Sequence, residues 1–278
     1  MIEQKKRDNG FEYIEVRNSR AQAKIALQGA HLFHYQKQGE DPLIWLSKTS
    51  FFEPGKAIRG GIPICWPWFG KHPNQKLPQH GFARTALWEL LEVEEASEDE
   101  TKLTLQLRHL PEHFKLWPHR FELRLHITVG RTLTLALTTT NRDEQSFTIT
   151  SALHSYFAVS DIQNISIEGL ENTPYLDTLT NKQKVQQGRV RITQEVDRIY
   201  QQVQGPLTLR DRERTVTIKF AGSTSVVVWN PWIDKCTRMG DMHDGAYKKM
   251  VCIETANALD DARTMAPGEE HTLTAVIA

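Results

Sequence analysis

His154 is the side chain of this sequence whose type and position best suit proton transfer near neutral pH. Alternation along residues 148–154 places it on the same predicted strand face as Thr148, Thr150 and Ala152, which are all small or polar. A histidine with room around it is typical of a cleft, and its ordinary pKa suits acid–base catalysis. The alternative is a histidine with satisfied hydrogen bonds and a structural role.

Glu254 is the corresponding carboxylate. It lies in the apolar run 250–257, which predicts a buried strand. A carboxylate in such a run must be paired or must have a raised pKa, and both situations are more common at functional sites than on surfaces. Asp197, within residues 195–200, is a less conspicuous carboxylate, and the sequence fits a surface or turn residue equally well there.

Residues 51–84 interrupt the alternation and are rich in glycine and proline. Long irregular segments inside a domain are usually functional loops. Arg59 and Arg84 could together hold a phosphate dianion through charge-assisted hydrogen bonds, although either arginine alone would more simply form a surface salt bridge. Gln79 and His80 lie a few residues before Arg84 and belong to the same candidate region.

Large aromatic side chains occur in the same irregular segment. Trp66, Trp68 and Phe69 could stack on the apolar faces of a sugar ring, and Gly60 and Gly61 would let the backbone approach a ligand closely. The alternative is that the aromatic residues belong to the core. Both interpretations stay open at the level of the sequence.

Other chemistries lack their motifs. No phosphate-binding glycine loop, dinucleotide fingerprint, metalloprotease helix or nucleophile elbow occurs in the sequence. His31-x-x-His34 and His109-x-x-x-His113 have spacings found in metal sites, but neither pair has a third ligand nearby. Structural or surface histidines are therefore expected at those positions.

The elements that must hold the candidate residues are predicted to be strands. Period-two alternation marks residues 21–27, 103–107, 121–129, 133–137 and 216–220. Gly130-Arg131 separates two of these segments and predicts a hairpin between them. Turn residues recur along the chain without a linker, a repeat or a long amphipathic helix. We therefore predict an all-β sandwich that forms a single domain over residues 1–278.

Composition excludes several classes of function. Lysine and arginine number 34 and aspartate and glutamate also 34, so no basic field would attract nucleic acid or an anionic membrane. No signal peptide is evident, and no stretch reaches the roughly 18 apolar residues of a membrane span. Cys65, Cys236 and Cys252 are odd in number and far apart, which predicts reduced core thiols. We expect a cytoplasmic protein with a small-molecule partner, and neither a nucleic-acid nor a membrane partner.

Several segments together resemble the hexose-6-phosphate mutarotase family, that is, glucose-6-phosphate 1-epimerase-like proteins, which are related to the aldose 1-epimerases. They are IRGGIPICWPWFG (58–70), PQHGFAR (78–84), SALHSYF (151–157), VDRIY (196–200), VVVWNPW (226–232) and CIETAN (252–257). The resemblance covers nearly the whole chain. It implies a galactose-mutarotase-like β-sandwich, or supersandwich, with the active site on a concave sheet face, and no metal or organic cofactor.

The resemblance also implies an activity and a role for each candidate. The activity is interconversion of the α and β anomers of a hexose 6-phosphate, here glucose 6-phosphate, by ring opening and closure. His154 matches the general acid of the family and Glu254 its general base. The implied contacts to the sugar phosphate are Arg59, Gln79, His80, Arg84 and Asp197. The choice between the two arginines as phosphate ligand stays open, and a monomer is expected.

Two other functions fit the same residues. A glycoside hydrolase could use Asp197 and Glu254 as the two carboxylates that flank a glycosidic bond. A carbohydrate-binding or sugar-phosphate-binding module could hold the same ligand without any chemistry. Release of reducing sugar would identify the first, and a lack of anomer exchange would identify the second.

Overall fold

The computed structural model describes residues 1–108, 110–212 and 214–278. In chain order its strands are β1 (Ile2–Lys6), β2 (Glu12–Arg17), β3 (Ala21–Ala26), β4 (His31–Lys37), β5 (Ile64–Cys65), β6 (Glu89–Ser97), β7 (Glu100–Arg108), β8 (Phe121–Val129), β9 (Leu133–Asn141), β10 (Phe147–Ile149), β11 (Ser151–Leu153), β12 (Tyr156–Ala158), β13 (Ser166–Glu168), β14 (Pro174–Asp177), β15 (Lys182–Val185), β16 (Val196–Tyr200), β17 (Leu207–Asp211), β18 (Arg214–Ala221), β19 (Ser225–Asn230), β20 (Met250–Asn257), β21 (Arg263–Met265) and β22 (Glu270–Ile277). The all-β prediction is confirmed.

Helices are short in the described part of the chain. They are α1 (Pro111–Leu116), α2 (Trp232–Arg238) and two 3-10 helices, Ala246–Lys249 and Leu259–Asp261. Among the described residues, no helix has the length and apolar character needed to cross a membrane.

Two large antiparallel sheets dominate the fold. The first, here called the back sheet, has eight strands in the order β13-β17-β18-β22-β9-β8-β7-β6. The second, here called the site sheet, also has eight strands, in the order β15-β14-β16-β19-β20-β11-β5, with β12 pairing with β20 as well. A four-stranded sheet, β1-β2-β3-β4, and the pair β10-β21 complete the arrangement. The predicted hairpin is confirmed as β8 and β9, with Val129 opposite Leu133.

The hydrophobic core packs against one face of the site sheet. Val226 and Val228 of β19 and Val251 and Ile253 of β20 belong to the same buried cluster as the apolar residues of β8 and β9. Because side chains alternate between the two faces of a strand, the residues between these valines and isoleucines point the other way. The site sheet therefore has one core face and one opposite face, here called the site face.

Residues 51–84 are mostly irregular, as the sequence predicts, with β5 the strand that interrupts them. Trp66 is completely buried and donates a hydrogen bond from Nε1 to Thr139 Oγ1 at 3.0 Å, and Trp68 lies in the same core cluster. These two tryptophans are thus core residues and not stacking platforms for a sugar. Phe69 is only partly buried and packs beside the site face, with its ring centroid 5.0 Å from that of His80.

The Gly60-Gly61 pair packs against protein atoms instead of leaving space for a ligand. Gly61 has φ +70°, and a Cβ added to it would overlap the His31 ring and the Leu32 carbonyl oxygen. The expectation that this pair admits a ligand is therefore wrong for Gly61, whose role is to let two backbone segments approach closely.

Gly81→Ala is expected to destabilise the loop that carries Gln79, His80 and Arg84. Gly81 has φ +70°, and a Cβ at this position would overlap the carbonyl group of Trp66. A left-handed backbone and a steric clash together are expected to lower the free energy of unfolding by about 3 kcal/mol. Urea denaturation measures this loss directly.

The matched control for that substitution is Gly188→Ala. Gly188 has φ +62°, and nothing lies within 4 Å of a Cβ added there, so only the backbone cost of about 1–2 kcal/mol applies. Equal losses for the two variants would show that the contact with Trp66 is unimportant.

Candidate active site

His154 and Glu254 lie in contact on the site face. His154 Nε2 is 3.3 Å from Glu254 Oε1. Leu153 of β11 pairs with Thr255 of β20, so the neighbouring residues of the two antiparallel strands, His154 and Glu254, meet. The side chains are 8% and 1% exposed, respectively. Two strands from distant parts of the sequence thus bring an imidazole and a carboxylate together.

Each side chain of this pair has one buried polar atom without a hydrogen-bond partner in the described part of the chain. Glu254 Oε2 and His154 Nδ1 have no hydrogen-bond partner among the described residues. Buried polar atoms are nearly always paired in folded proteins. These two atoms are therefore available to the polar groups of a bound molecule, while the other two atoms contact each other.

Burial shifts the pKa values of the pair in opposite directions. It raises the pKa of Glu254 well above its usual value, and the nearby charge of Asp197 adds to this shift. Burial also lowers the pKa of His154 well below its usual value, with His80 and Arg59 contributing further. Both shifts favour uncharged forms. At a separation of 3.3 Å, mutual attraction offsets part of the cost of a charged pair.

Arg59 lies at the edge of this pair and is held by two partners. Its Nε donates to Asp241 Oδ2 at 3.0 Å, and its Nη1 donates to the hydroxyl of Tyr156 at 3.0 Å. Tyr156 in turn stacks on His154, with 4.8 Å between ring centroids and 10° between ring planes. The guanidinium group is thereby fixed near the imidazole, and its charge helps to lower the pKa of His154.

Gln79, His80 and Arg84 form a second polar group beside the pair. Arg84 Nη2 donates to the carbonyl oxygen of Gln79 at 2.7 Å, and His80 Nε2 lies 3.1 Å from Gln79 Nε2. The ring centroids of His80 and His154 are 5.8 Å apart. Burial, followed by the charges of Arg84 and Arg59, lowers the pKa of His80 to about 3, so this histidine is neutral near pH 7.

Asp197 lies on the site face and not at a turn. It is part of β16 and pairs with Trp229 of β19, which pairs with Cys252 of β20. Burial raises the pKa of Asp197 despite the opposing charge of Lys235. Asp197 therefore lies on the same sheet face as Glu254, and its negative charge helps to raise the pKa of Glu254.

Sequence reasoning missed Tyr156, Asp241 and Cys252 as neighbours of the pair. Tyr156 is two residues after His154 and Cys252 two residues before Glu254, so strand alternation could have placed both on the site face. Asp241 carries no such signal. It lies 182 residues from Arg59, in the irregular segment that follows α2, and only the folded chain brings the two together.

The histidine spacings considered as metal sites have simpler explanations where the structure describes them. His31 is completely buried, and its Nε2 lies 2.8 Å from the Gly60 carbonyl oxygen. His109 lies outside the described residues, so the interpretation of its spacing to His113 stays a prediction. A different group, His154, Cys252 and Glu254, offers metal-ligating atoms that all lie within 4.8 Å of one another.

Comparison with known proteins assigns this chain to a family. The family model described as aldose 1-epimerase matches residues 12–278. The chain therefore belongs to the aldose 1-epimerase family and is an enzyme of the isomerase class. The family resemblance inferred from the sequence motifs is confirmed.

Individual relatives carry names that describe a more specific activity than the family name does. A protein of Cenchrus ciliaris named "putative glucose-6-phosphate 1-epimerase" is 39% identical over 280 residues, which cover 95% of this chain and 84% of the relative. The crystal structure of "a putative mutarotase" from Salmonella typhimurium is 34% identical, with a TM-score of 0.93 over 100% of this chain and 92% of the other. Neither a glycoside hydrolase nor a binding module is favoured by these similarities.

A more distant structure shows the fold alone. A galactose mutarotase related enzyme from Lactobacillus acidophilus is 15% identical and superimposes with a TM-score of 0.75 over 96% of each chain. The predicted galactose-mutarotase-like architecture is thus confirmed.

Proposed function

We propose that this protein interconverts the α and β anomers of a hexose 6-phosphate, with glucose 6-phosphate as substrate. The observation that carries the proposal is the contact between His154 and Glu254, two buried proton-transfer groups flanked by Arg59 and Arg84. The name of the Cenchrus ciliaris relative supports the choice of sugar phosphate.

The geometry suits the chemistry of anomer exchange. The pyranose ring opens when the C1 hydroxyl loses a proton and the ring oxygen gains one. Both oxygens are bonded to the same carbon, so the base and the acid must stand side by side. The 3.3 Å between His154 Nε2 and Glu254 Oε1 meets this requirement. In our proposal Glu254 takes the proton from the hydroxyl and His154 gives one to the ring oxygen.

The pair needs only one proton of its own for the whole cycle, because it takes one proton from the sugar for each proton that it gives. In our proposal the reactive form of the pair is imidazolium with carboxylate, and ring opening converts it into a neutral imidazole and a carboxylic acid. Rotation about C1–C2 then presents the other face of the aldehyde, and closure returns both protons. The raised pKa of Glu254 and the lowered pKa of His154, both caused mainly by burial, favour the uncharged pair that exists while the sugar is open.

The remaining residues are proposed to bind the substrate. Arg59 and Arg84 supply positive charge for the phosphate, and Asp197 faces the sugar as a hydrogen-bond acceptor for a hydroxyl. Gln79 and His80 are also proposed to contact the substrate, because Gln79 accepts a hydrogen bond from Arg84 and lies beside His80.

We also propose that residues 1–278 form one domain, because the strands of the site sheet come from both halves of the sequence. A cytoplasmic location is supported by the three free, buried cysteines, as expected for a reducing compartment. The balanced charge supports a small sugar phosphate, and not nucleic acid, as the partner. The monomeric state stays a prediction, which sedimentation would test.

Magnetisation-exchange NMR on α- and β-glucose 6-phosphate tests the proposed function. The protein is expected to accelerate exchange between the two anomeric signals while their sum stays constant. Release of reducing sugar from glycosides without anomer exchange would instead identify a hydrolase. Binding of the sugar phosphate with no acceleration of exchange would identify a binding module.

A further inference from the structure

Three side chains with chemically different metal-ligating atoms lie close together on the site face. The ligating atoms of His154, Cys252 and Glu254 all lie within 4.8 Å of one another, and all three side chains are buried. Cys252 and Glu254 are two residues apart on β20 and therefore share its site face. The pairing of β11 and β12 with β20 supplies His154 from the other side.

Each side chain of this group keeps an atom that is not committed to any described residue outside the group. Cys252 is a free thiol, and both His154 Nδ1 and Glu254 Oε2 lack a hydrogen-bond partner among the described residues. A buried cluster of this kind differs from an exposed group of acidic residues, which water can solvate. Buried polar atoms without a partner are rare, so their presence here indicates a binding site for a ligand.

One sulfur, one nitrogen and one oxygen donor match a zinc site with an open fourth position. Zinc accepts all three donor types at about 2.0–2.3 Å in tetrahedral geometry, so the donors must come roughly 1 Å closer together than the widest separation here. Magnesium and calcium prefer oxygen donors in larger numbers, which this cluster does not supply.

We propose that His154, Cys252 and Glu254 form a binding site for Zn²⁺ and that its occupation inhibits the enzyme. The metal takes the same imidazole and carboxylate that move protons, so metal binding and anomer exchange exclude each other. Protons displaced from the thiol and its neighbours pass to the buffer. Only the inhibition rests on the proposed function, whereas metal binding is measured without any sugar.

Titration of the ligand-free protein with Co²⁺ tests the site, because cobalt replaces zinc and reports its ligands by absorption. The wild-type protein is expected to show a sulfur-to-cobalt charge-transfer band, which added Zn²⁺ removes. Cys252→Ser, or Cys252→Ala if the first variant folds poorly, is expected to lose the band. The matched control is Cys236→Ser, which changes another buried thiol and should keep it.

The affinity for Zn²⁺ gives a second test of the proposed site. Changes around metal ligands typically weaken binding about 10–100-fold, so loss of a ligand in Cys252→Ser or Glu254→Gln is expected to weaken Zn²⁺ binding at least about 100-fold. Mg²⁺ should not displace Co²⁺. A wild-type protein without the charge-transfer band, or a band that survives in Cys252→Ser, would overturn the proposed site.

Inhibition is then measured by NMR exchange in the presence of Zn²⁺ and after addition of a chelator. Wild type and Cys236→Ser are expected to lose exchange at the same Zn²⁺ concentration and to recover it with chelator. Full exchange with Zn²⁺ bound would overturn the inhibitory role. A protein that binds cobalt through sulfur but never exchanges anomers would contradict the proposed function and leave the metal site standing.

Discussion

Glu254→Gln and His154→Gln are each expected to slow enzymatic anomer exchange of glucose 6-phosphate by about 10²–10⁴-fold, the usual contribution of a well-placed proton-transfer group. Glutamine resembles the side chain it replaces in polarity and can still form hydrogen bonds, but it cannot carry the transferred proton. Magnetisation-exchange NMR at saturating sugar phosphate measures the rate constant.

Glu92→Gln is a suitable control for this pair of variants. Glu92 is exposed on β6 of the back sheet, so the same chemical change is made far from the site face. It should leave the exchange rate unchanged. A Glu254→Gln variant that retains wild-type exchange would remove this residue from the reaction and with it the mechanism proposed above.

Arg59→Ala is expected to reduce kcat/KM for glucose 6-phosphate about 10–100-fold more than it reduces the value for unphosphorylated glucose. The estimate corresponds to the loss of hydrogen bonds between charged groups, which contribute about 1.5–3 kcal/mol. Exchange rates measured with both sugars give the ratio of the two values.

The same measurement on Arg84→Ala decides which arginine contacts the phosphate. Arg131→Ala, in the turn between β8 and β9, is the control, since it removes a guanidinium group from the opposite sheet. Equal losses for both sugars in Arg59→Ala would mean that this residue supports Tyr156 and Asp241 structurally and does not select phosphorylated substrates.

Strand alternation predicted the parts of the site that lie on regular elements. The apolar run around Glu254 does form a strand, β20, and all eight of its residues are buried. The face assigned to His154 is also the one that carries Ala152. Period-two patterns succeed here because each strand must bury one whole face, so a single register fits the sequence.

Irregular segments were less predictable. Nothing in the sequence separates the core roles of Trp66 and Trp68 from a role in sugar stacking, because a loop has no period that tells inside from outside. The partnership of Arg59 with Asp241 depends on how two such loops meet across the fold. Long-range pairing of this kind is a property of the tertiary structure and leaves no local pattern.

The proposed proton-transfer groups and the candidate phosphate ligands lie on different kinds of backbone. Glu254 lies on a strand flanked by β19 on one side and by β11 and β12 on the other, whereas Arg59 and Arg84 lie in the irregular segment 51–84. Insertions and replacements are tolerated far better in loops than in central strands. Substrate preference can therefore change through replacements in one segment, while the proposed proton-transfer pair on the strands stays the same.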